Sequence, residues 1–344
     1  MDRPTLCLDI GSGTQDVLYF LPGEELDNCP KFVLPSPALQ VARKIEKLSR
    51  QKKNIHLYGH NMGGGFARVL KRHLQQGGKA SITSEAAFAL SDSRDRVLGM
   101  DLEIRENPPA GNVPVYLSDF DPGFWQGYLA QTGLDYPELI LASVQDHGFH
   151  PRSSNRLGRF EIWKKFLLQS AGFLHELIFD QPPAEMTRLI SLKQCIGTGL
   201  VCDTGAAALL GALFDPEVER LASKRGICVV NVGNSHVIAF LVYENRVLGI
   251  YEHHTGLLNG QKLWTQLDSF KTGILTNEQV FEDQGHGCLI LDEAGAEDFG
   301  PTFVLGPRRR ILTEFDVQFI CPGGDVMLAG CFGLLKGAYI KEKN

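Results

Sequence analysis

The sequence predicts an α/β protein made of two similar units facing each other across a cleft. Three observations carry that expectation. A strand–strand–strand–helix order occurs twice. In each copy a turn of small residues joins the first two strands. Glycine, 37 of the 344 residues, gathers in a few tight clusters rather than spreading evenly. Internal duplication of this kind sets the architecture before any other fold argument. With 43% hydrophobic and 22% charged residues the chain can bury a large core, and its length suits roughly two domains.

The first copy opens with Leu6-Cys7-Leu8-Asp9-Ile10, the turn Gly11-Ser12-Gly13-Thr14-Gln15-Asp16, and Val17-Leu18-Tyr19-Phe20, the pattern of a β-hairpin. Residues 31–34 read as a third strand. A helix follows to about residue 50, with Val41, Ile45 and Leu48 at helical spacing. Next come a strand at 54–58, a turn at Gly63-Gly64-Gly65 and a helix over 66–76. The proline-rich stretch 100–133 reads as an irregular connection. Residues 139–144 form a buried strand ending in Gln145-Asp146-His147, and helices are expected over 157–179, 184–192 and 205–214. The opening pattern then returns. Strands at 228–232 and 237–242 flank Gly233-Asn234-Ser235-His236, a third strand covers 247–251, and a helix covers 259–267, with Asn231 in the place of Asp9. Finally, a strand at 317–320 leads through Pro322-Gly323-Gly324-Asp325 into a closing helix. The expected domains are 1–215, carrying an insertion, and 216–344.

Several function classes are disfavoured. A net charge of −6 gives no broad basic footprint for nucleic acid or anionic membrane. No apolar run approaches the ~20 residues of a membrane span, and residues 1–6, with an acid beside their one Arg, do not read as a signal peptide. The eight Cys form no CxxC pair, which suits a reducing, cytoplasmic setting. There is no Walker loop. Gly11-Ser12-Gly13 begins a GxGxxG, but Asp16 stands where the last Gly belongs and a strand follows. His175-Glu176 begins an HExxH that Phe179 ends.

What remains is the pair of turns. A hairpin loop of small residues aims successive N–H groups into one concavity suited to phosphate oxygens. Asp9, at the strand end, could hold Mg²⁺ through water, since that ion prefers carboxylates with retained water. Ser12 and Thr14 add hydroxyls. A plain hairpin that needs glycine for its backbone is the other reading of one such turn; two equivalent turns favour nucleotide.

Taken together, Asp9 to Thr14, Asn231 to Ser235 and Pro322 to Gly330 resemble the phosphate-1, phosphate-2 and adenosine signatures of the actin, sugar-kinase and heat-shock chaperone ATPase superfamily. Within it, the chain resembles the family labelled putative pyruvate formate-lyase activating enzyme. The superfamily resemblance implies two duplicated ribonuclease-H-like (actin-like ATPase) domains around a cleft holding ATP and Mg²⁺. It further implies that Asp9 organises the metal and that Gly11, Ser12, Gly13 and Thr14 hold phosphates. Asn231, Gly233, Asn234 and Ser235 would clamp from the opposite side, with Gly323 and Gly324 near adenosine. Asn231 departs from the acid usual there and brings no charge to the metal. Radical chemistry would require a CxxxCxxC cluster motif, which the sequence lacks, so an ATP-driven accessory role is the part of that label left open.

Asp146 is the candidate for the reactive group, because phosphoryl transfer asks for a residue that orients the incoming hydroxyl or water; capping the following turn is the equal alternative. Asp203 reads as a helix N-cap. His147, His150, Arg152, His253 and His254 are candidate substrate contacts. His147, His150, His253, His254, His286 and Cys288 could in principle meet on a metal, although polar loop histidines are the preferred reading. Arg152, Arg156 and Arg159 form a basic segment read as solvated, with an anionic substrate as the alternative. The functional expectation is an ATP-dependent phosphotransferase or ATPase acting on a small molecule. Its alternatives are an ATP-driven regulator of a partner enzyme and a scaffold without nucleotide.

Overall fold

The computed structural model describes residues 2–152, 154–296 and 298–343. The chain begins with β1 (Thr5–Ile10), β2 (Thr14–Phe20) and β3 (Lys31–Pro35). Helix α1 (Pro37–Arg50) starts sharply because Pro37 occupies its first turn and Ser36 accepts the Leu39 N–H. There follow β4 (Ile55–Gly59), α2 (Ala67–Gln75), β5 (Ala80–Ile82), α3 (Arg94–Leu98), β6 (Glu103–Ile104), β7 (Val113–Leu117) and α4 (Pro122–Gln131). These strands pair in the parallel order β6-β5-β4-β7 and, with α1, enclose their own core around Ile45, Leu57, Phe66 and Val115.

That lobe corrects the expected irregular connection over 100–133. Pro114 is tolerated because β7 is an edge strand, and Pro122 starts α4 behind an Asp121 cap rather than breaking a helix.

The chain returns as β8 (Leu139–Val144), α5 (Asn155–Gln169), β9 (Ile178–Phe179), α6 (Thr187–Ile196), β10 (Gly199–Cys202) and α7 (Thr204–Ala212). The helix expected over 157–179 therefore stops at Gln169, and the segment ends as an edge strand. β10 had no counterpart in the sequence reading. Helix α8 (Pro216–Ala222) leads to β11 (Ile227–Val232), β12 (His236–Tyr243), β13 (Arg246–His254), α9 (Gly260–Lys271), α10 (Asn277–Glu282), β14 (Gly287–Ile290), β15 (Thr302–Leu305), β16 (Gln318–Phe319) and α11 (Ala329–Lys343).

Two six-stranded sheets result, in the orders β3-β2-β1-β8-β10-β9 and β14-β13-β12-β11-β15-β16. In the first, β1 is antiparallel to β2 and parallel to β8; in the second, β11 is antiparallel to β12 and parallel to β15. Strand order and direction thus repeat. The molecule is a mixed α/β protein of two ribonuclease-H-like sheets in the actin-like arrangement, with the lobe inserted in the first.

The two sheets share one interior, and each has a further core of its own, around Leu8 and Ile140 in the first and around Val230 and Leu267 in the second. α7 and α11 pack chiefly on each other; among strands α7 meets β11 most, with β1, β8 and β15, and α11 lies on β1 and β8, so the pair sits between the sheets. One core runs through them, joining Cys7 and Leu141 of the first sheet to Val229 and Phe240 of the second by way of Leu209, Leu210, Phe332 and Leu335. Burial of this continuous apolar layer is the main force holding the halves together. No described helix is long and apolar enough to cross a membrane.

Candidate functional site

The two small-residue turns are built alike. The Gly11 N–H donates to the Thr14 carbonyl at 2.9 Å, and the Gly233 N–H donates to the His236 carbonyl at 2.9 Å. Ser36 fastens the first turn, giving its Oγ–H to the Ser12 carbonyl at 3.1 Å, while the Thr255 hydroxyl fastens the second through the Gly233 carbonyl at 2.9 Å. The turns meet across the cleft, with Ser12 Oγ and Ser235 Oγ 3.1 Å apart.

Behind that contact lies a cavity of about 310 Å³, at the small end of ligand pockets. Asp9, Gly11, Ser12, Gly13, Thr14, Asn231, Gly233, Asn234 and Ser235 all line it.

Asp9 has a partner that sequence reasoning missed. Asp9 and Asp16 are directly opposed on β1 and β2, so both side chains lie on the cleft face. Ser143 donates to Asp9 Oδ1 at 2.6 Å, whereas Asp16 Oδ1 is buried without a hydrogen-bond partner among the described residues. Burial, only partly offset by the Ser143 bond, raises the Asp9 pKa to about 6. Burial and the Asp9 charge raise that of Asp16 to about 8. A Cβ on Gly330 would collide with the Asp9 carboxylate, so the start of α11 forms a close floor under the pair.

Two adjacent acids above a glycine floor, one Asp16 oxygen unpartnered among the described residues, fit a divalent cation, whose charge would relieve both. The sequence signal for Asp16 was available. It stands where a dinucleotide loop has glycine, and alternation puts it on the Asp9 face.

Other positions need correction. Gly323 and Gly324 are not in the cavity. Both have positive φ, +57° and +78°, and Gly323 lies against the Phe332 ring, so the pair shapes the turn into α11. The glycine loop in the cavity is instead Gly306-Pro307, at the end of β15. Gly306 has φ +97° and abuts the Asn231 side chain, and the Arg308 N–H ties this loop to the Val232 carbonyl at 3.0 Å.

Asp146 also faces away from the turns. Its carboxylate accepts the N–H groups of Gly148 at 2.7 Å and Leu189 at 2.9 Å. Burial raises its pKa despite those bonds. Asp146 is therefore a buried turn cap rather than the reactive group.

Among the substrate candidates, His147 lines the cavity. Burial first, then Arg159, lowers its pKa to about 3, so it is a neutral imidazole. His150 packs beside Gly148 and Gly158, outside the cavity, and Arg152 is exposed. His253 is fully buried on the other face of β13, 3.1 Å from Asp283. His254 stands against His236 and His286.

Arg159, expected in a solvated segment, is 1% exposed. It donates to Asp203 at 2.8 Å through one terminal nitrogen, pairs again through the other, and reaches both Glu252 oxygens at 3.1 Å. Asp203 meanwhile caps α7 through the Gly205 N–H, as the sequence indicated. Burial opposes the charge of Glu252, but Arg159 outweighs it and holds the pKa at about 2. Trp163 Nε1–H adds a bond to Glu252 at 3.0 Å. This buried network ties α5 and β10 of the first half to β13 of the second.

The inserted lobe supplies the remaining wall. Gly63, Gly64, Gly65 and Asp119 line the cavity with Arg188 of α6. Arg188 forms a two-point pair with Asp119 at 2.7 and 2.9 Å and donates to the Gln145 carbonyl at 2.9 Å. A Cβ on Gly63 would press on the guanidinium.

Sheet order, exchanged helices and facing turns define a protein of the duplicated ribonuclease-H-like, actin-like class. The chain belongs to the family described as "Putative pyruvate format-lyase activating enzyme (DUF1786)", whose model matches residues 62–311. No curated protein matches it. Among solved structures it is similar to Lmo2764, "a putative N-acetylmannosamine kinase", from Listeria monocytogenes (11% identity, 99% of this chain and 100% of that one, TM-score 0.35). It is also similar to ethanolamine utilization protein EutJ from Carboxydothermus hydrogenoformans (8%, 96% and 88%, TM-score 0.28). A third is MreB 5 of Spiroplasma citri bound to AMPPNP (11%, 100% and 97%, TM-score 0.30). The fold assignment rests on strand order and direction rather than on these scores.

Proposed function

We propose that the chain binds ATP with Mg²⁺ between its two turns and acts as a phosphotransferase or ATPase on a small molecule. The observation that carries this reading is the Asp9–Asp16 pair, a half-buried and a buried acid with no counter-charge among the described residues, beside a doubled set of phosphate-sized turns. Asp9 and Asp16 would hold the metal, which when bound screens phosphate charge. Gly11 to Thr14 and Gly233 to Ser235 would present N–H and hydroxyl groups to phosphate from opposite sides. Gly306-Pro307, rather than Gly323-Gly324, would lie near the base. His147, Gly63 to Gly65 and the Arg188–Asp119 pair would bound the acceptor side.

A second reading has an observation of its own. Asp119 and Glu252 are both consumed by arginines, the half-buried Arg188 and the buried Arg159, and Asp146 is consumed by backbone donors. Slow hydrolysis coupled to a partner enzyme suits such a cleft. This ATP-driven regulatory or activating role would involve no radical chemistry of the chain's own.

Calorimetric titration with Mg–ATP is the test. Wild-type protein should bind one equivalent, and Asp9→Asn should weaken magnesium-dependent binding by at least about tenfold, the loss of one charge-assisted contact of roughly 1.5–3 kcal/mol. Equal affinity in the variant would refute the assignment. Turnover that requires an added acceptor supports the phosphotransferase; slow turnover that a partner protein accelerates supports the regulator.

A further inference from the structure

A second group of titratable side chains lies one residue beyond the second turn. His236 begins β12, His254 ends β13, and the ladder places them directly opposite each other. His286, immediately before β14, completes a triangle of rings. The centroids are 4.9 Å apart for His236–His254, 4.9 Å for His236–His286 and 4.6 Å for His254–His286. One ring nitrogen from each lies within 4.8 Å of the others.

We infer that His236, His254 and His286 form a three-imidazole site for a divalent transition-metal ion of the zinc type, distinct from the Mg²⁺ position at Asp9.

Zinc bound by imidazole takes bonds of about 2.0–2.1 Å, so tetrahedral ligand nitrogens sit roughly 3.3 Å apart. The rings, two of them half-buried, would have to turn inward to close the site from its present spacing. The backbone needs no change, because the ladder fixes His236 and His254, and the His286 N–H is held by the Glu252 carbonyl at 2.9 Å.

A further observation points to a cation. His286 is 2% exposed, yet its Nδ1 has no hydrogen-bond partner among the described residues; an unpartnered buried imidazole nitrogen is costly unless something binds it. Glu252, two residues before His254 and so on the same face of β13, favours positive charge on all three rings, while its ion-pair partner Arg159 opposes it at His236 and His286, and Arg156 opposes it at His254. Burial keeps the rings neutral, the form that binds metal, lowering the pKa of His236 and His286 to about 4.

Oxygen-seeking Mg²⁺ is a poor match for three imidazoles, and zinc, cobalt or nickel a good one. His236 also lines the cavity between the turns, so a metal held by the three rings would border it.

The test needs no nucleotide, so its failure leaves the ATP reading standing and the reverse also holds. Full-length protein is stripped with EDTA, dialysed, and titrated with Zn²⁺ by calorimetry and with Co²⁺ by absorption spectroscopy. One equivalent should bind. The Co²⁺ form should show visible ligand-field bands of low-coordinate cobalt without a thiolate-to-cobalt band in the near ultraviolet. Changes to outer partners alone typically cost about 10–100-fold in affinity, so His254→Gln and His286→Gln, each removing a ligand, should lose at least about 100-fold. His253→Gln, on the opposite face, should bind like wild type. His254 is half-buried, so His254→Gln remains informative if the buried His286 variant fails to fold. No stoichiometric binding at micromolar metal, a thiolate band, or equal losses in His253→Gln and His254→Gln would each overturn the site.

Discussion

Asp9 and Asp16 face each other across the first hairpin with raised pKa values of about 6 and about 8. An unfolded chain gives each about 4, so between pH 4 and 8 the folded protein holds protons that the unfolded one has released. Their contribution to stability is therefore present at low pH and lost as pH rises through about 8. Neutral His147, His236 and His286 act in the opposite sense, but only as pH falls below about 6.5. Between pH 6.5 and 8 the acids should dominate. In EDTA, wild-type denaturation midpoints should fall across that interval more steeply than those of Asp16→Asn, by at most about 1.4 kcal/mol per pH unit for one retained proton. Added Mg²⁺ should flatten the wild-type slope; an unaltered slope would detach these acids from a metal.

Helices α7 and α11 cross where glycine lets backbones touch. A Cβ on Gly333 would run into the Ala207 carbonyl, and one on Gly211 into that of Ala329. Gly333→Ala should thus cost about 1–3 kcal/mol through forced separation of packed helices, read from urea midpoints. Gly127→Ala, on α4 with open space around the site, should instead stabilise by about 0.4–1 kcal/mol because it restricts the unfolded chain. If both substitutions prove neutral, the close crossing is not what joins the halves. The β12–β13 pair shows a different control. Its register shifts by one between Leu241 and Val242. Without that bulge His253 rather than His254 would stand opposite His236, and the imidazole triangle would not form.

At the scale of the whole molecule, one apolar layer joins two sheets while the polar cleft opens at their edges. We keep 1–215 and 216–344 as proposed domains, with α11 packed on the sheet of the other unit. The cleft is shut at its mouth by the Ser12–Ser235 contact, and a triphosphate lying between the turns must part those hydroxyls. Ser12→Cys combined with Ser235→Cys should, on mild oxidation, lose two titratable thiols and most Mg–ATP binding, with both restored by reductant. Nucleotide binding that survives the cross-link would mean the ligand does not pass between the turns.

The sequence by itself determined the doubled strand order, both turns, Asp9 and Asn231, because alternation and glycine punctuation are local signals that the ladder then obeys. Of the lobe over residues 55–131, whose short parallel strands are stabilised by one another rather than by their own pattern, it showed β4 and α2 but not β5, β6, β7 or α4. Nor could it separate Asp146 from Asp16. Both are acids near strand ends; a local turn and the packing of α6 gave the first two backbone donors, while Oδ1 of the second has no partner among the described residues. Arg159 looked solvated because nothing local marks a charge whose two partners, Asp203 and Glu252, lie 44 and 93 residues away. Tertiary structure decided these matters, since burial and ion pairing depend on which distant segments meet.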